Sequence, residues 1–157
     1  MTTETLEIKR VDAIKAYNKA DKQGKSMLAD LFGDKVLNQK ITDRVKTFAD
    51  VLEIAGISQN KFDNSCANLS ADEVAYRQVK LIAEVLNEGW TPNWDNSGQY
   101  KYCPFFDKRA GFSFSHFGLS AAYSSSGSRL CFSSAALAEY AGTQFIELYK
   151  DYFVISK

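Results

Sequence analysis

The sequence predicts an α+β fold: a helical N-terminal half packed with a small antiparallel sheet of three to four strands, and a C-terminal helix across that sheet. Two changes of pattern support this. Apolar residues recur with helical spacing from Val11 to Glu88. Short aromatic-rich segments, separated by Ser and Gly, follow between Tyr100 and Ser133 before helical spacing returns.

Length and composition set the expected domain organisation. The chain has 157 residues, of which 45% are apolar and 24% charged, as is usual for a globular protein. A chain of this size normally folds as one domain. We expect a single domain over 1–157, with its helical part at about 11–89 and its strand-rich part with the final helix at about 98–155.

Polar side chains and glycines mark the ends of the first three helices. Asp12 and Asp21 stand where a carboxylate can accept a hydrogen bond from an unpaired amide of the helix that follows. Thr47 has the same position before "FADVLEIA". Gly33 and Gly56 are the natural stops of the second and third helices, since glycine readily takes the left-handed conformation.

The fourth helix has a more specific signature. Ser70 and Glu73 form a capping box, so a helix is expected from there to about Asn87. The polar stretch 58–69 before it is expected to be a loop or a short turn of helix. The apolar stripe of the fourth helix consists of Ala75, Val79, Ile82, Ala83 and Leu86.

The strands are expected at "YKYCPFF", "GFSFSHF" and "SRLCFSS". Alternation places Phe112, Phe114 and His116 on one face, with the intervening serines on the other. Pro104 has no N–H to donate, so its strand is expected to be an edge strand or to carry a bulge. The last segment, "SAALAEYAGTQFIELYKDYF", predicts one helix whose apolar stripe is Leu137, Ala141, Phe145, Leu148 and Tyr152.

Composition argues against several kinds of function. Lys plus Arg and Asp plus Glu both number 19, so no bulk charge draws the chain to nucleic acid or anionic lipid. Cys66, Cys103 and Cys131 are odd in number and lack CxxC spacing, which predicts reduced, packed thiols in a cytoplasmic protein and no zinc site. No signal peptide, membrane span, P-loop or dinucleotide fingerprint is visible, so we expect no membrane, metal or cofactor binding.

The single histidine, His116, is the only obvious base for a hydrolase. Ser115 and Cys103 are conceivable nucleophiles, but neighbouring strand residues point to opposite faces, so Ser115 is not expected to reach the imidazole. No GxSxG elbow is present. We predict that the protein is not an enzyme, and a hydrolase using His116 is the least favoured alternative.

The stretch "VLEIAGISQNKFDN" resembles the turn of a DNA-binding helix-turn-helix. Gly56 would make the corner, and Ile57 would pack between the two helices. Leu52 stands where a small residue is usual, and Lys61 is the only cation in the segment that would read DNA. A glycine that simply ends a helix is the favoured interpretation.

Rings and cations are mixed in the strand-rich part. Stacking surfaces for single-stranded nucleic acid combine both groups, and between Tyr100 and Ser133 the only acidic residue is Asp107. The alternative is that the rings fill the core between the sheet and a helix. The predicted binding residues are Trp90, Trp94, Tyr100, Lys101, Tyr102, Lys108, Arg109 and Arg129.

The corner "GWTPNWDN" connects the fourth helix to the first strand. Pro92 prevents the helix from continuing, and Trp90 and Trp94 flank the turn. We interpret both indoles as anchors between helix and sheet, with their N–H groups bound by loop carbonyls. A sugar-stacking site that uses Asp95 and Asn96 is the alternative.

Three segments carry a resemblance to a family of small proteins from phages and integrated elements of gut Bacteroidetes, for which no activity is established. They are "VKTFADVLEIAGI", "DEVAYRQVKLIAEVLNEGWTPNWDNSGQYKYCPFFD" and "GSRLCFSSAALAEYAGTQFIELYKDYFVI". Cys103 and Phe105 depart from the family, which often has Tyr before Pro104 and Trp after it. The resemblance implies a cytoplasmic accessory protein that handles nucleic acid or takes part in assembly, and it brings no cofactor or catalytic residue.

These observations lead to one functional expectation and one alternative. We expect a non-enzymatic, phage-derived accessory protein that binds a partner through an aromatic and basic sheet surface, with single-stranded nucleic acid as the leading candidate. The alternative is a protein-interaction or assembly module, in which the same surface meets another subunit.

Overall fold

The computed structural model describes residues 8–109, 111–123 and 127–155. These residues form an α+β structure, as the sequence predicts, in which helices accompany a two-stranded antiparallel sheet. The chain divides into two compact units, one ending at Asp43 and the other beginning at Arg44. The expectation of a single domain stays a prediction.

The first unit is helical where it is described. Its helices are α1 (Arg10–Lys19), α2 (Lys22–Phe32) and α3 (Asp34–Leu37). Asp21 accepts a hydrogen bond of 2.8 Å from the Gly24 N–H, which confirms the predicted cap of α2. Asp12 lies inside the first turn of α1, so it is not the cap that we expected. The buried apolar cluster of this unit consists of Ala13, Ile14 and Leu37.

Helices form the first part of the second unit. They are α4 (Ile41–Arg44), which spans the boundary, α5 (Phe48–Ala55), α6 (Gln59–Cys66) and α7 (Ala71–Leu86). Thr47 caps α5 as predicted, and Gly56 ends it in the left-handed conformation (φ 70°). Glu73 reaches back to the Ser70 N–H at 2.8 Å, as a capping box requires. The stretch in which we expected a loop or a short turn contains all of α6, which Ser58 caps.

The core of the second unit is centred on α7. Its predicted apolar stripe is buried throughout, and Val79 and Ile82 are both 0% exposed. The helix packs against α5 and against the last helix of the chain. Directly after α7, the buried Asn87 side chain donates to the Cys131 carbonyl (2.8 Å) and accepts from the Ser133 N–H (2.9 Å). Those two bonds fix the segment around Cys131 to the end of α7.

The sheet has two strands within the described residues, β1 (Lys101–Asp107) and β2 (Ser113–Ser120). The third predicted strand is not confirmed. "SRLCFSS" begins with a 3₁₀ turn (Ser128–Leu130) and meets β1 in one antiparallel bridge, between Tyr102 and Phe132. Leu130, Cys131 and Phe132 are all buried, so this segment lacks the alternation of a strand with one exposed face.

A β-bulge decides which side chains share a face. Phe105 pairs with His116, and the next residue, Phe106, pairs with Phe114, so Ser115 is the extra residue. The prediction that Phe114 and His116 share a face is therefore wrong, because the bulge shifts the alternation by one residue. Pro104 pairs regularly with Phe117, and its strand β1 is an edge of the two-stranded sheet, which is one of the two outcomes that its missing N–H led us to expect.

The C-terminal segment is helical but broken. It forms α8 (Ala135–Gln144) and α9 (Ile146–Phe153), and the break lies at Phe145 (φ −112°, ψ 30°). Helix α8 packs on both strands, whereas α9 packs mainly on α7 and reaches the sheet through the contacts of Tyr149 and Phe153 with the Phe106 ring. The break rotates the second half, and Tyr149 is the residue buried there in place of Leu148 and Tyr152.

The structure also bears on the expectations about cysteines, membrane spans and metal sites. Cys66, Cys103 and Cys131 are buried thiols, which confirms that they pack as small apolar side chains. Among the described helices, none is long and apolar enough to cross a lipid bilayer. In the same part of the chain, no cluster of three or more His, Cys, Asp or Glu side chains is placed to hold a metal ion.

Candidate binding surface on the β1–β2 hairpin

The two faces of the hairpin have different environments. On one face, Pro104 and Phe114 pack so closely on α8 that a Cβ at Gly142 would lie 2.9 Å from the Pro104 Cβ. On the other face, Phe105 is 38% exposed and its partner His116 is exposed as well. This exposed part of the second face is the candidate surface.

Phe105 and His116 form a stacked pair. Their ring centroids are 5.1 Å apart and their planes differ by 24°. The phenyl ring also lies over Gly118, where a Cβ would overlap the ring edge. A glycine at this position thus allows the ring to lie flat on the strand beside the imidazole.

A shallow cavity of about 60 Å³ extends this surface toward the end of β2. Phe105 and Gly118 line one side of it, and Leu119 and Tyr123 belong to the same lining. Tyr123 is 84% exposed and Leu119 is 55% exposed. We call Phe105, His116 and Tyr123 the ring patch.

His116 also contacts Ser115, which corrects the sequence argument. The His116 Nδ1 and the Ser115 Oγ lie 3.1 Å apart, because the bulge turns Ser115 out of the regular alternation. A nucleophile and base at this distance satisfy one requirement of a hydrolase. A carboxylate that orients the base is the second requirement, and no hydrogen bond to His116 Nε2 is formed within the described residues.

Lys101 does not belong to the exposed surface. It is 1% exposed, and its Nζ donates to the carbonyls of Asn96 (3.3 Å) and Ala121 (3.1 Å). The ammonium also lies 5.0 Å from the centre of the Trp94 ring. Lys101 therefore holds the loops on both sides of the hairpin together, and its charge is directed inward.

The other predicted cations are exposed. Arg109 binds both carboxylate oxygens of Asp107, with its closest contact at 2.6 Å. This pairing lowers the pKa of Asp107 and raises that of Arg109. The Lys108 ammonium donates to the Phe153 carbonyl at 3.0 Å. Arg129 is exposed in the 3₁₀ turn.

The remaining predicted aromatic residues are only partly available. Trp90 and Trp94 are half-buried at the corner before β1, and the buried Trp94 indole N–H has no acceptor within the described residues. The expected bond from that indole to a loop carbonyl is thus absent. Tyr102 is half-buried against Phe117, whereas Tyr100 is 52% exposed.

The structure groups the predicted residues differently from the sequence. Lys108 and Arg109 follow β1 directly, but Lys101 is removed from the surface. Phe105 and His116, which we had not predicted as binding residues, form its centre. Gly118, two positions after His116, is the one feature of the sequence that could have indicated this stack. A glycine within a strand often marks a place where another group comes close to the backbone, and here that group is the Phe105 ring.

The helix-turn-helix, which the sequence offered only as the less favoured interpretation, is present as local geometry. Helices α5 and α6 have eight residues each, and the left-handed Gly56 joins them through a short turn. Leu52 and Phe62 are buried between them, so the large residue at the usual small position is accommodated. The outer face of α6 carries Lys61 and Asp63, which leaves it without net positive charge.

Comparisons of this chain with models of protein families, with curated proteins and with solved structures gave no match. The function is therefore inferred from the residues of the candidate surface and their chemistry.

Proposed function

We propose that this protein is a non-enzymatic binding module, and that the ring patch with Arg109 and Lys108 contacts its partner. The partner class that this chemistry favours is single-stranded nucleic acid. The main supporting observation is the exposed Phe105–His116 stack on a part of the sheet that α8 does not cover. A phage origin and a cytoplasmic location rest on the sequence resemblance and belong to the same proposal.

Stacking would supply the affinity. A base can extend an existing stack of rings, and each base–ring contact contributes about 1–3 kcal/mol. The Phe105 ring is fixed by its contact with Gly118, so little side-chain freedom is lost on binding. Tyr123 lines the adjoining cavity and could receive a neighbouring base.

The local charge suits a polyanion without requiring a basic protein. Lys108, Arg109 and Arg129 are exposed, and Asp107 is the one acidic side chain from Tyr100 to Ser133. These three exposed cations and Asp107 leave an excess of two positive charges in the strand-rich part. This small excess favours a short single strand over duplex DNA, whose tight binding normally involves more phosphate contacts.

The test is fluorescence anisotropy with labelled single-stranded DNA and RNA and a duplex of the same sequence, at low and near-physiological salt. We expect a preference for single strands. Phe105→Leu, which keeps an apolar side chain but removes the ring, should weaken binding about tenfold. Lys108→Ala/Arg109→Ala should also weaken it, whereas Lys19→Ala/Lys22→Ala, which removes the same charge from the first unit, should not.

Equal binding by Phe105→Leu and the wild type would exclude the stacking surface. Absence of binding at low salt would exclude nucleic acid as the partner. The alternative is then an assembly module, because Phe105, Leu119 and Tyr123 are exposed apolar side chains that line the same small cavity. In that case sedimentation should show a self-associated species that Tyr123→Ser dissociates.

A further inference from the structure

Cys103 and Cys131 lie directly opposite each other across the bridge beside β1. Tyr102 and Phe132 exchange both backbone hydrogen bonds, at 3.0 Å and 2.7 Å. The next residues along an antiparallel pair, Cys103 and Cys131, are then in a non-hydrogen-bonded position, where Cα atoms are about 4.5 Å apart. Disulfides span Cα separations of about 4.4–6.8 Å, so the backbone already has a suitable spacing.

The positions of the two cysteine side chains also suit a disulfide. The two sulfur atoms are 3.0 Å apart, and both cysteines are buried, with exposed fractions of 7% and 2%. The Cys131 backbone is held in place, because Asn87 binds its carbonyl at 2.8 Å. The two sulfurs need to approach by only about 1 Å to reach the length of an S–S bond, about 2.05 Å. Cys66 lies in a different cluster with Leu52 and Phe62, and it has no such neighbour.

We propose that Cys103 and Cys131 form a reversible disulfide, with a small-molecule disulfide such as oxidised glutathione as oxidant. One cysteine thiolate attacks the glutathione disulfide, forms a mixed disulfide and releases one glutathione thiol. The second cysteine attacks the mixed disulfide and releases the other. Two electrons and two protons pass from the cysteines to two glutathione molecules, and one S–S bond is exchanged for another.

The Cys103–Cys131 disulfide should stabilise the folded protein. It joins residues 28 positions apart and fastens β1 to the segment that Asn87 ties to α7. Closing a loop of this size restricts the unfolded chain, and it should raise the melting temperature by roughly 5–10 °C. Since both sulfurs are buried, oxidation requires local opening that exposes at least one of them, and it should be slow at low temperature. The proposal is independent of what the ring patch binds.

The experiment equilibrates the full chain with glutathione buffers from fully reduced to mostly oxidised, at several temperatures below melting. Remaining thiols are then alkylated under denaturing conditions and located by peptide mass spectrometry. We expect oxidised samples to contain a Cys103–Cys131 crosslinked peptide and one alkylated residue, Cys66. Added thiol should restore three alkylated cysteines.

Cysteine variants show whether the rise in melting temperature comes from the Cys103–Cys131 crosslink or from oxidation elsewhere in the chain. Cys131→Ser and Cys103→Ala should each abolish the rise in melting temperature, whereas Cys66→Ser should retain it. The wild-type mapping needs no variant, so a poorly folding mutant leaves the test intact. Three alkylated cysteines in the most oxidising buffer would overturn the proposal, as would glutathione retained on Cys103 or Cys131 without a crosslink.

Discussion

At the scale of single residues, two tyrosines differ in whether the hydroxyl has an acceptor. Tyr140 donates to the buried carbonyl of Val45, whereas the hydroxyl of Tyr149 is buried and has no partner within the described residues. Burial also raises the pKa of Tyr149 far above its usual range. An unsatisfied hydroxyl costs free energy that Phe would avoid.

The two Tyr→Phe variants should therefore have opposite effects. Tyr149→Phe is expected to leave the free energy of unfolding unchanged or to raise it by up to about 1 kcal/mol, while Tyr140→Phe should lower it by about 1 kcal/mol. Urea denaturation followed by circular dichroism measures both. A loss of about 1 kcal/mol or more in Tyr149→Phe would show that its hydroxyl has a partner, such as a bound water.

Lys101 shows where residue-level prediction fails. Its position in "YKYC", among rings and next to an alternating segment, is typical of an exposed strand lysine. The acceptors that bury it, the carbonyls of Asn96 and Ala121, belong to loops on either side of the hairpin. Backbone carbonyls carry no sequence signal, so the direction of this side chain depends on how those loops close.

At the scale of elements, Gly142 sets how closely α8 approaches the sheet. A Cβ there would lie 2.5 Å from the Phe114 ring and 2.9 Å from the Pro104 Cβ. Alanine would gain about 1 kcal/mol in helix propensity, but overpacking costs about 1–3 kcal/mol. Because Pro104 is rigid and cannot move aside, we expect overpacking to dominate.

Gly142→Ala should accordingly lower the free energy of unfolding by about 1–2 kcal/mol. Thr143→Ala is the matched control, since it changes an exposed position on the same helix and should gain a few tenths of a kcal/mol from propensity alone. Thermal and urea unfolding report both. A stabilised Gly142→Ala would mean that α8 can shift away from the strands.

The start of α7 should make stability depend on pH. The Ser70 N–H and hydroxyl both bind Glu73, which lowers the pKa of that carboxyl. A carboxyl with a lowered folded pKa stabilises the fold above its unfolded pKa, and this contribution is lost as the pH falls through the folded value. Glu73→Gln should therefore lose less stability than the wild type between about pH 6 and pH 3.

Glu139→Gln tests whether this difference comes from the cap. Glu139 is exposed on α8 and has no capping role, so its variant should follow the wild-type curve. Chemical denaturation at half-unit pH steps gives the three curves. Parallel curves for Glu73→Gln and the wild type would show that the capping box forms equally in the unfolded chain.

Elements were predictable where their signals are local. The caps Asp21, Thr47 and Ser70 and the stop at Gly56 depend on hydrogen bonds and backbone angles within one turn, and the structure shows each of them. The break at Phe145 and the bulge at Ser115 have no comparable signal. The bulge adjusts the pairing of β2 with β1, and the break lets α8 pack on the strands while α9 packs on α7. Both depend on contacts between elements that are distant in the sequence.

At the scale of the whole molecule, zero net charge limits how nucleic acid could bind. The exposed cations of the strand-rich part are Lys108, Arg109 and Arg129, and each phosphate contact releases about 0.7 counterion from a single strand. We expect the logarithm of the association constant to fall with the logarithm of salt concentration with a slope of about −2.

Anisotropy titrations at four or more salt concentrations give this slope. Arg129→Ala should make it shallower by about 0.7, whereas Lys22→Ala, on α2, should leave it unchanged. A slope steeper than about −4 would indicate a larger phosphate-binding surface than the three cations provide.

The sequence by itself determined the α+β class, the limits of α2, α5 and α7, the buried stripe of α7 and the packed state of the three cysteines. These follow from periodicity and capping, which act within a few residues. Only the tertiary structure decided which rings are exposed, where Lys101 points and which cysteines meet. Those outcomes depend on the bulge, the broken last helix and the Asn87 link, which join residues far apart in the chain. Packing between elements determines the stability of the bulge, of the helix break and of the Asn87 link. The neighbouring residues in the sequence therefore do not indicate any of the three.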